Sequence, residues 1–222
     1  ISHLDKEMTI VQLSDIHIGT IHNSRYLKKI VDKTNAIDPD MVLITGDLVD
    51  GSGMLTEESV APLNGLKAKA FFSIGNHEQY AGIDYITRIL DYTPVQMLRN
   101  KVINYKGIQV IGIDSMGEME NVTFDPSSLE INRSKPSIMM RHLPIGLENA
   151  NSAGISLQLS GHTHNGQIFP FTLLSRLVFP RVTGLFDHKG TYMYVSPGTG
   201  TWGPPFRLGS RSEITIIKLV KG

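Results

Sequence analysis

Five apolar runs in this chain are each followed at once by side chains able to bind a cation: LSDIHIG (13–19), MVLITGDLVDG (41–51), FFSIGNHE (71–78), SIMMRHLP (137–144) and LQLSGHTHNGQ (157–167). Together they present Asp15, His17, Asp47, Asn76, His77, His142, His162 and His164. Hard oxygen donors mixed with imidazoles suit a pair of divalent transition ions. Two such ions about 3.5–4 Å apart lower the pKa of a bridging water, whose hydroxide can attack a phosphoryl centre in line without a protein nucleophile. The chemistry implied is phosphoric-ester hydrolysis at a binuclear metal centre.

Singly, each motif has an ordinary structural use. Asp-x-His occurs on many surfaces, Gly-Asn-His can be a turn, and His142 after an apolar run can be a hydrogen-bonded core residue. Gly-His-Thr-His is more specific, because two imidazoles at i and i+2 in a glycine-flanked segment have few purely structural roles. The joint occurrence of all five decides the matter. Asp50 and Glu78 are expected to fix ligands or turns. His3, His22 and His188 lie outside the motifs and receive no role, although His22 is near enough to Asp15 and His17 to line the same crevice.

The positioning elements follow from the pattern. Strands are expected at Met8–Leu13, Met41–Thr45 and Ala70–Ile74, alternating with a helix capped by Asn23 or Ser24, a weaker one from Thr56 that Pro62 shortens, and one after Gly82. Val95–Leu98, Val102–Tyr105 and Ile108–Ile113 read as a meander of a second sheet, and Ser137–Met140, Ile155–Leu159, Tyr192–Ser196 and Glu213–Leu219 complete the strands. Two sheets packed face to face with helices outside are predicted, in one domain over residues 1–222. Each ligand motif then sits at the carboxyl end of a strand, where sites of open α/β sheets collect. Residues two apart on a strand share a side, so Asp15 and His17 are expected to reach one ion together, and His162 with His164 likewise if that segment stays extended. Gly46, Gly75 and Gly161 precede ligands and allow close backbone approach.

Composition sets looser bounds. The 222 residues carry 21 basic and 21 acidic side chains, so no overall field favours nucleic acid, and a specific nucleic-acid partner is not expected. The absence of cysteine excludes disulfides and thiolate metal sites. With Ile1 in place of an initiator Met and no continuous apolar stretch long enough to span a bilayer, the chain is expected to be a processed or trimmed catalytic portion, cytoplasmic or membrane-associated.

On these motifs the chain resembles the calcineurin-like metallophosphoesterase superfamily, whose pattern is Asp-x-His, Gly-Asp, Gly-Asn-His, a single His, then Gly-His-x-His. The resemblance runs from the first strand through residue 167. It implies an α/β fold, a four-layer αββα sandwich with two central mixed β-sheets. It also implies that Asp15, His17 and His164 bind one ion, that Asn76, His142 and His162 bind the other, and that Asp47 bridges them. His77 becomes the outer-sphere histidine that assists the leaving oxygen, and Asn76 also orients the phosphate. Glu78 stands where many relatives have Asp, and Arg141 where a small residue is usual; Arg141 either brings charge to the site or turns to solvent. The tail SPGTGTWGPPFRLGSRSEITIIKL looks like the ending of a prokaryotic branch of phosphohydrolases, often membrane-attached, that includes phosphodiesterases. The expected cofactor is two divalent ions, Mn²⁺ favoured with Fe, Zn, Co or Ni admissible. A small-molecule phosphodiester is the expected substrate. Phosphomonoesterase or pyrophosphatase activity are alternatives, with a nuclease or a non-catalytic scaffold further removed.

One segment is not absorbed by this reading. QIFPFTLLSRLVFPRVTGLF (167–186) leaves the last ligand motif rich in phenylalanine and leucine with only Arg176 and Arg181 as charges. The first expectation is that it packs in the core. The alternative is an apolar lip for a lipid-like phosphodiester, with peripheral membrane contact.

Overall fold

The computed structural model describes residues 6–52, 55–115 and 125–221. A five-stranded sheet contains β1 (Met8–Leu13), β2 (Met41–Thr45), β3 (Lys69–Ser73), β4 (Gln96–Met97) and β11 (Thr215–Leu219), in the order β11-β1-β2-β3-β4. A six-stranded sheet contains β5 (Lys101–Tyr105), β6 (Ile108–Ile113), β7 (Ser137–Arg141), β8 (Leu157–Ser160), β9 (Gly184–His188) and β10 (Thr191–Val195), in the order β5-β6-β7-β8-β10-β9. Both are mixed, with antiparallel pairs only at the edges: β11 on β1, β5 on β6 and β9 on β10.

Strict alternation builds the layers. In β1, Met8 and Ile10 join the core between the sheets while Val11 and Leu13 face the helices; β2 splits the same way into Met41 and Leu43 against Val42 and Ile44. From the second sheet, Val110, Ile138, Met140 and Leu159 meet the first sheet's inner face. Helices α1 (Ser24–Ile37), α2 (Glu57–Val60) and α4 (Ile83–Leu90) cover the outer face of the first sheet, and α5 (Leu147–Ala153) covers that of the second. The architecture is the expected four layers. Asn23 caps α1 by accepting from the N–H groups of Arg25 and Tyr26, and α2 passes into a 3₁₀ turn at Pro62, as that proline requires.

One expected strand needs correction, and the structure decides between the alternatives left open elsewhere. Val95–Leu98 does not open a meander of the second sheet: β4 pairs parallel with β3, because the α4 crossover returns the chain beside the strand it left, and Val95 enters the helix-side core. Of the expected meander, β5 and β6 pair as a hairpin. Gly-Asn-His is not a turn but the start of α3 (Asn76–Ala81), and the apolar segment after residue 167 holds α6 (Phe171–Val178) and β9. Arg141 does not turn to solvent but is buried at the end of β7. No helix among the described residues is long and apolar enough to cross a membrane.

Candidate metal centre

The eight ligand-type residues come together just beyond the carboxyl ends of β1, β2, β3, β7 and β8. The loops carrying them are zipped to one another: the N–H groups of Asp15, His17 and Ile18 donate to the carbonyls of Gly46, Asp47 and Leu48. Two close approaches require glycine. A Cβ at Gly75 would overlap the Asp47 carboxylate, and one at Gly161 would overlap that of Asp15.

Asp15 and His17 do share one group, as expected, but not through strand geometry, and His162 and His164 do not. β1 ends at Leu13 and β8 at Ser160, and Asp15, His17, Asp47, His162 and His164 all have φ between 49° and 73°, in the left-handed region. Such backbone costs non-glycine residues free energy and concentrates at functional sites. Its effect here is to send His162 and His164 into different clusters. His164 Nε2 lies 2.9 Å from His17 Nε2 and 3.3 Å from Asp15 Oδ1. His162 Nδ1 lies 3.0 Å from Asn76 Oδ1 and 3.3 Å from His142 Nε2. Asp47 Oδ2 stands between, 3.0 Å from His142 Nε2 and 3.9 Å from His17 Nε2. Three groups result: Asp15, His17 and His164; Asp47, His142 and His162; and His17, Asp47 and His77.

Protonation matches a cation site. Burial first, then the neighbouring His164, lowers His17 to about 3; burial and Arg207 lower His164 to about 3; burial and His142 lower His162 to about 4. These rings are neutral at pH 7, and their lone pairs need not lose a proton to bind metal. Burial would raise Asp47, but His142, His17 and His77 hold it far below the carboxylate range. His142 goes the other way, to about 10, because the Asp47 charge and hydrogen bond outweigh its burial. The donor set therefore fits metal. Facing imidazole nitrogens at 2.9 Å and 3.3 Å can share only a proton or a cation, and Asp47 with protonated His142 marks where positive charge is wanted.

An outer ring of contacts orients the ligands. His142 Nδ1 faces the Thr45 carbonyl at 2.8 Å and His77 Nδ1 that of Asp50 at 2.7 Å, so each Nε2 points inward. The His162 N–H donates to both oxygens of Asp15, and the His77 N–H to Asp47 Oδ1. Glu78, fully buried, accepts from the backbone N–H groups of Gly75, Asp47 and Val49 at 2.7, 3.0 and 3.2 Å. The Asp50 side chain closes a turn by accepting from Thr20 and Ser52. His22 does not line the crevice: it stacks on Tyr26 and bonds Thr201 at 2.8 Å. His188 lies on β9, and His3 is outside the described residues.

Arg207 was not identified by its residue type or spacing. Its guanidinium donates to the carbonyls of His164, Pro197 and Gly200 and lies 3.3 Å from His164 Nδ1, tying the tail to the last ligand loop. In the sequence only the pair Arg207 and Arg211 in the tail hints at it, and spacing there carries no distance information. A cleft of about 660 Å³ opens from Asp47, Asn76, His77, His162 and His164 to apolar walls from α6 and from Trp202 and Pro204.

Three imidazole and carboxylate groups that could hold metal, two of them sharing Asp47, stand at the strand ends of a two-sheet α/β sandwich. The chain belongs to the calcineurin-like phosphoesterase family, whose profile residues 8–166 match. It is 39% identical over 225 aligned residues to an uncharacterized metallophosphoesterase of Helicobacter pylori, covering 98% of this chain and 61% of that protein. It is 34% identical to a transmembrane protein with metallophosphoesterase domain from Danio rerio, covering 96% of this chain and 53% of that one. The chain thus spans about three fifths or less of the length of these relatives. Among solved structures, a dimetal phosphatase from Danio rerio superposes with a TM-score of 0.54 at 10% identity, covering 86% of this chain and 87% of that one, which shows the shared fold.

Proposed function

We propose that this chain is the catalytic portion of a binuclear metal-dependent phosphodiesterase. The observation that carries the reading is the convergence of six metal donors around a seventh, Asp47, at the inner end of an open cleft. Asp15, His17 and His164 would hold one ion, and Asn76, His142 and His162 the other. Asp47, within reach of both sets, would bridge them. Mn²⁺ is the favoured ion on donor chemistry, with Fe, Zn, Co or Ni compatible with the same set. When bound, the two ions supply Lewis acidity to the phosphoryl oxygens and an activated water for in-line attack.

The chain's own groups supply orientation and a proton. His77, its ring fixed by the Asp50 carbonyl and its side chain 12% exposed, presents Nε2 at the cleft, where it can assist the departing oxygen. Asn76, at the first turn of α3, brings its amide to the same point and can hold the phosphate as well as ligate. The preference for a diester rests on the walls. Among the described residues no lysine or arginine lines the cleft to meet the second charge of a monoester, whereas the apolar sides can take a second ester arm.

Metal-reconstituted protein assayed on bis-p-nitrophenyl phosphate and p-nitrophenyl phosphate tests the reading. The expectation is a kcat/KM for the diester at least about tenfold that for the monoester, a difference of about 1.4 kcal/mol in transition-state stabilisation. A preference for the monoester would refute the diester assignment. Absence of turnover with any divalent ion would refute the enzyme.

A further inference from the structure

Of the apolar segment that leaves the Gly-His-Thr-His motif, Val182 and Phe186 reach the core, but the large apolar side chains between 169 and 178 do not. Helix α6 is turned inside out: Thr172 is its buried residue, while Leu173, Leu174, Leu177 and Val178 are exposed, Leu177 to 83%. Nine of the sixteen exposed large apolar side chains among the described residues lie in two short stretches, 169–178 and 202–208. The stretches are stitched together. Phe169 N–H donates to the Leu208 carbonyl, Leu208 N–H to that of Gln167, and Gln167 exchanges hydrogen bonds with the backbone of Trp202. The result is one apolar face rather than scattered single residues, a concentration that monomeric soluble surfaces rarely show.

Two observations select its occupant. The face is continuous with the reacting centre, because Phe171, Leu174, Val178 and Trp202 wall the same cleft as Asp47, His77 and His162. The charge around it is also one-sided. Residues 161–186 and 196–212 contain no aspartate or glutamate, in a chain whose acidic and basic residues otherwise balance, and carry Arg176, Arg181, Arg207 and Arg211. Arg181 is paired with Glu148 and Arg207 is used by backbone carbonyls, which leaves Arg176 and Arg211 exposed beside the apolar face. An apolar helix with basic residues and an exposed tryptophan matches the requirements of an interfacial element on an anionic bilayer.

We propose that α6 and the 202–208 loop dock on an anionic lipid bilayer, and that the cleft receives the phosphoester of a membrane lipid whose acyl chains stay among the apolar walls. The docking stands on the surface alone; the lipid substrate also rests on the phosphodiesterase reading.

The test is co-sedimentation of the purified, metal-free chain with equimolar phosphatidylglycerol and phosphatidylcholine vesicles, and with phosphatidylcholine alone. The parent should partition onto the anionic vesicles, and less so as salt rises. A Leu173→Ser, Leu177→Ser variant, altered outside the cleft lining, should bind at least about tenfold more weakly, since each leucine loses its apolar transfer into lipid. Its melting temperature and its turnover of bis-p-nitrophenyl phosphate when metal-loaded should match the parent. Arg176→Glu, which leaves the apolar face intact, should weaken binding to anionic vesicles only. A parent that ignores both vesicles, or variants that bind as well as the parent, would overturn the docking. So would a concentration-dependent dimer that dissolves in the leucine variant, which would assign the face to a second copy of the chain. Vesicle binding without diester turnover would leave the docking intact and overturn the phosphodiesterase.

Discussion

Glu78 gives the sharpest test of how the centre is held, because it touches no proposed ion yet serves three loop groups at once. Its carboxylate accepts from Gly75 and Asp47 through one oxygen and from Val49 through the other, with no exposure to solvent. Glu78→Ala strands three buried N–H groups, at about 1–3 kcal/mol each, so a loss of at least about 3 kcal/mol is expected. Glu78→Gln keeps an oxygen for Gly75 and Asp47 and turns an amide NH₂ toward Val49, which confines the loss to one contact, about 1–3 kcal/mol. For a domain of this size that is a fall of roughly 2–12 °C in Tm for the glutamine variant, and more for alanine. Since the Asp47 backbone hangs on this carboxylate, metal affinity should also fall about 10–100-fold in the glutamine variant, the usual cost of losing a ligand's support. Thermal melts of the metal-free proteins and Mn²⁺ titration calorimetry measure the two effects. An alanine variant within about 1 kcal/mol of the parent, or a glutamine variant with unchanged metal affinity, would show that the loops hold Asp47 without Glu78.

Asp47→Ala should lose both ions on metal analysis, since the remaining donors would face two cations without the shared carboxylate, while His77→Ala keeps both; full occupancy in the first or empty sites in the second contradicts the roles. If His77 protonates the leaving oxygen, His77→Ala should cost alkyl diesters about 10²–10⁴-fold and p-nitrophenyl diesters far less, because p-nitrophenolate departs unaided; equal losses would make His77 a phosphate-binding group. Metal-free protein should lose stability on acidification from pH 6.5 to 4.5. His17 and His164 at about 3 and His162 at about 4 stay neutral in the fold while their unfolded counterparts, near 6.5, take up protons. Each such ring contributes up to about 1.4 kcal/mol per pH unit. Glu78, raised by burial and by Asp47 from 4.5 to about 7, opposes one of the three in that window. A Tm that is flat or rises on acidification, followed by calorimetry in chelator, would show that these rings are not held neutral.

The chain's own order of residues determined the inventory of the centre. Apolar runs of strand length, each ending in a glycine or polar residue and a ligand, can be read without a structure, because strand alternation and the crowding at carboxyl ends are local rules. The same rules yield the layers: Met8 and Ile10 against Val11 and Leu13 is an alternation visible in the letters. What failed were inferences that carried a local rule past the end of its element. Strand geometry pairs Asp15 with His17 and His162 with His164; the first pair does meet, but the strands end before these residues and the loops bond to one another, so left-handed backbone separates His162 from His164. Arg207 stands 43 residues from His164, and nothing local announces a contact that only the packing of the tail creates. Helix α6 is the clearest case. Its leucines signal burial by composition, yet which face of a helix meets the protein depends on what else is present, and the core between the two sheets is built without α6. Tertiary structure alone turned Thr172 inward and left the apolar side chains at the mouth of the cleft.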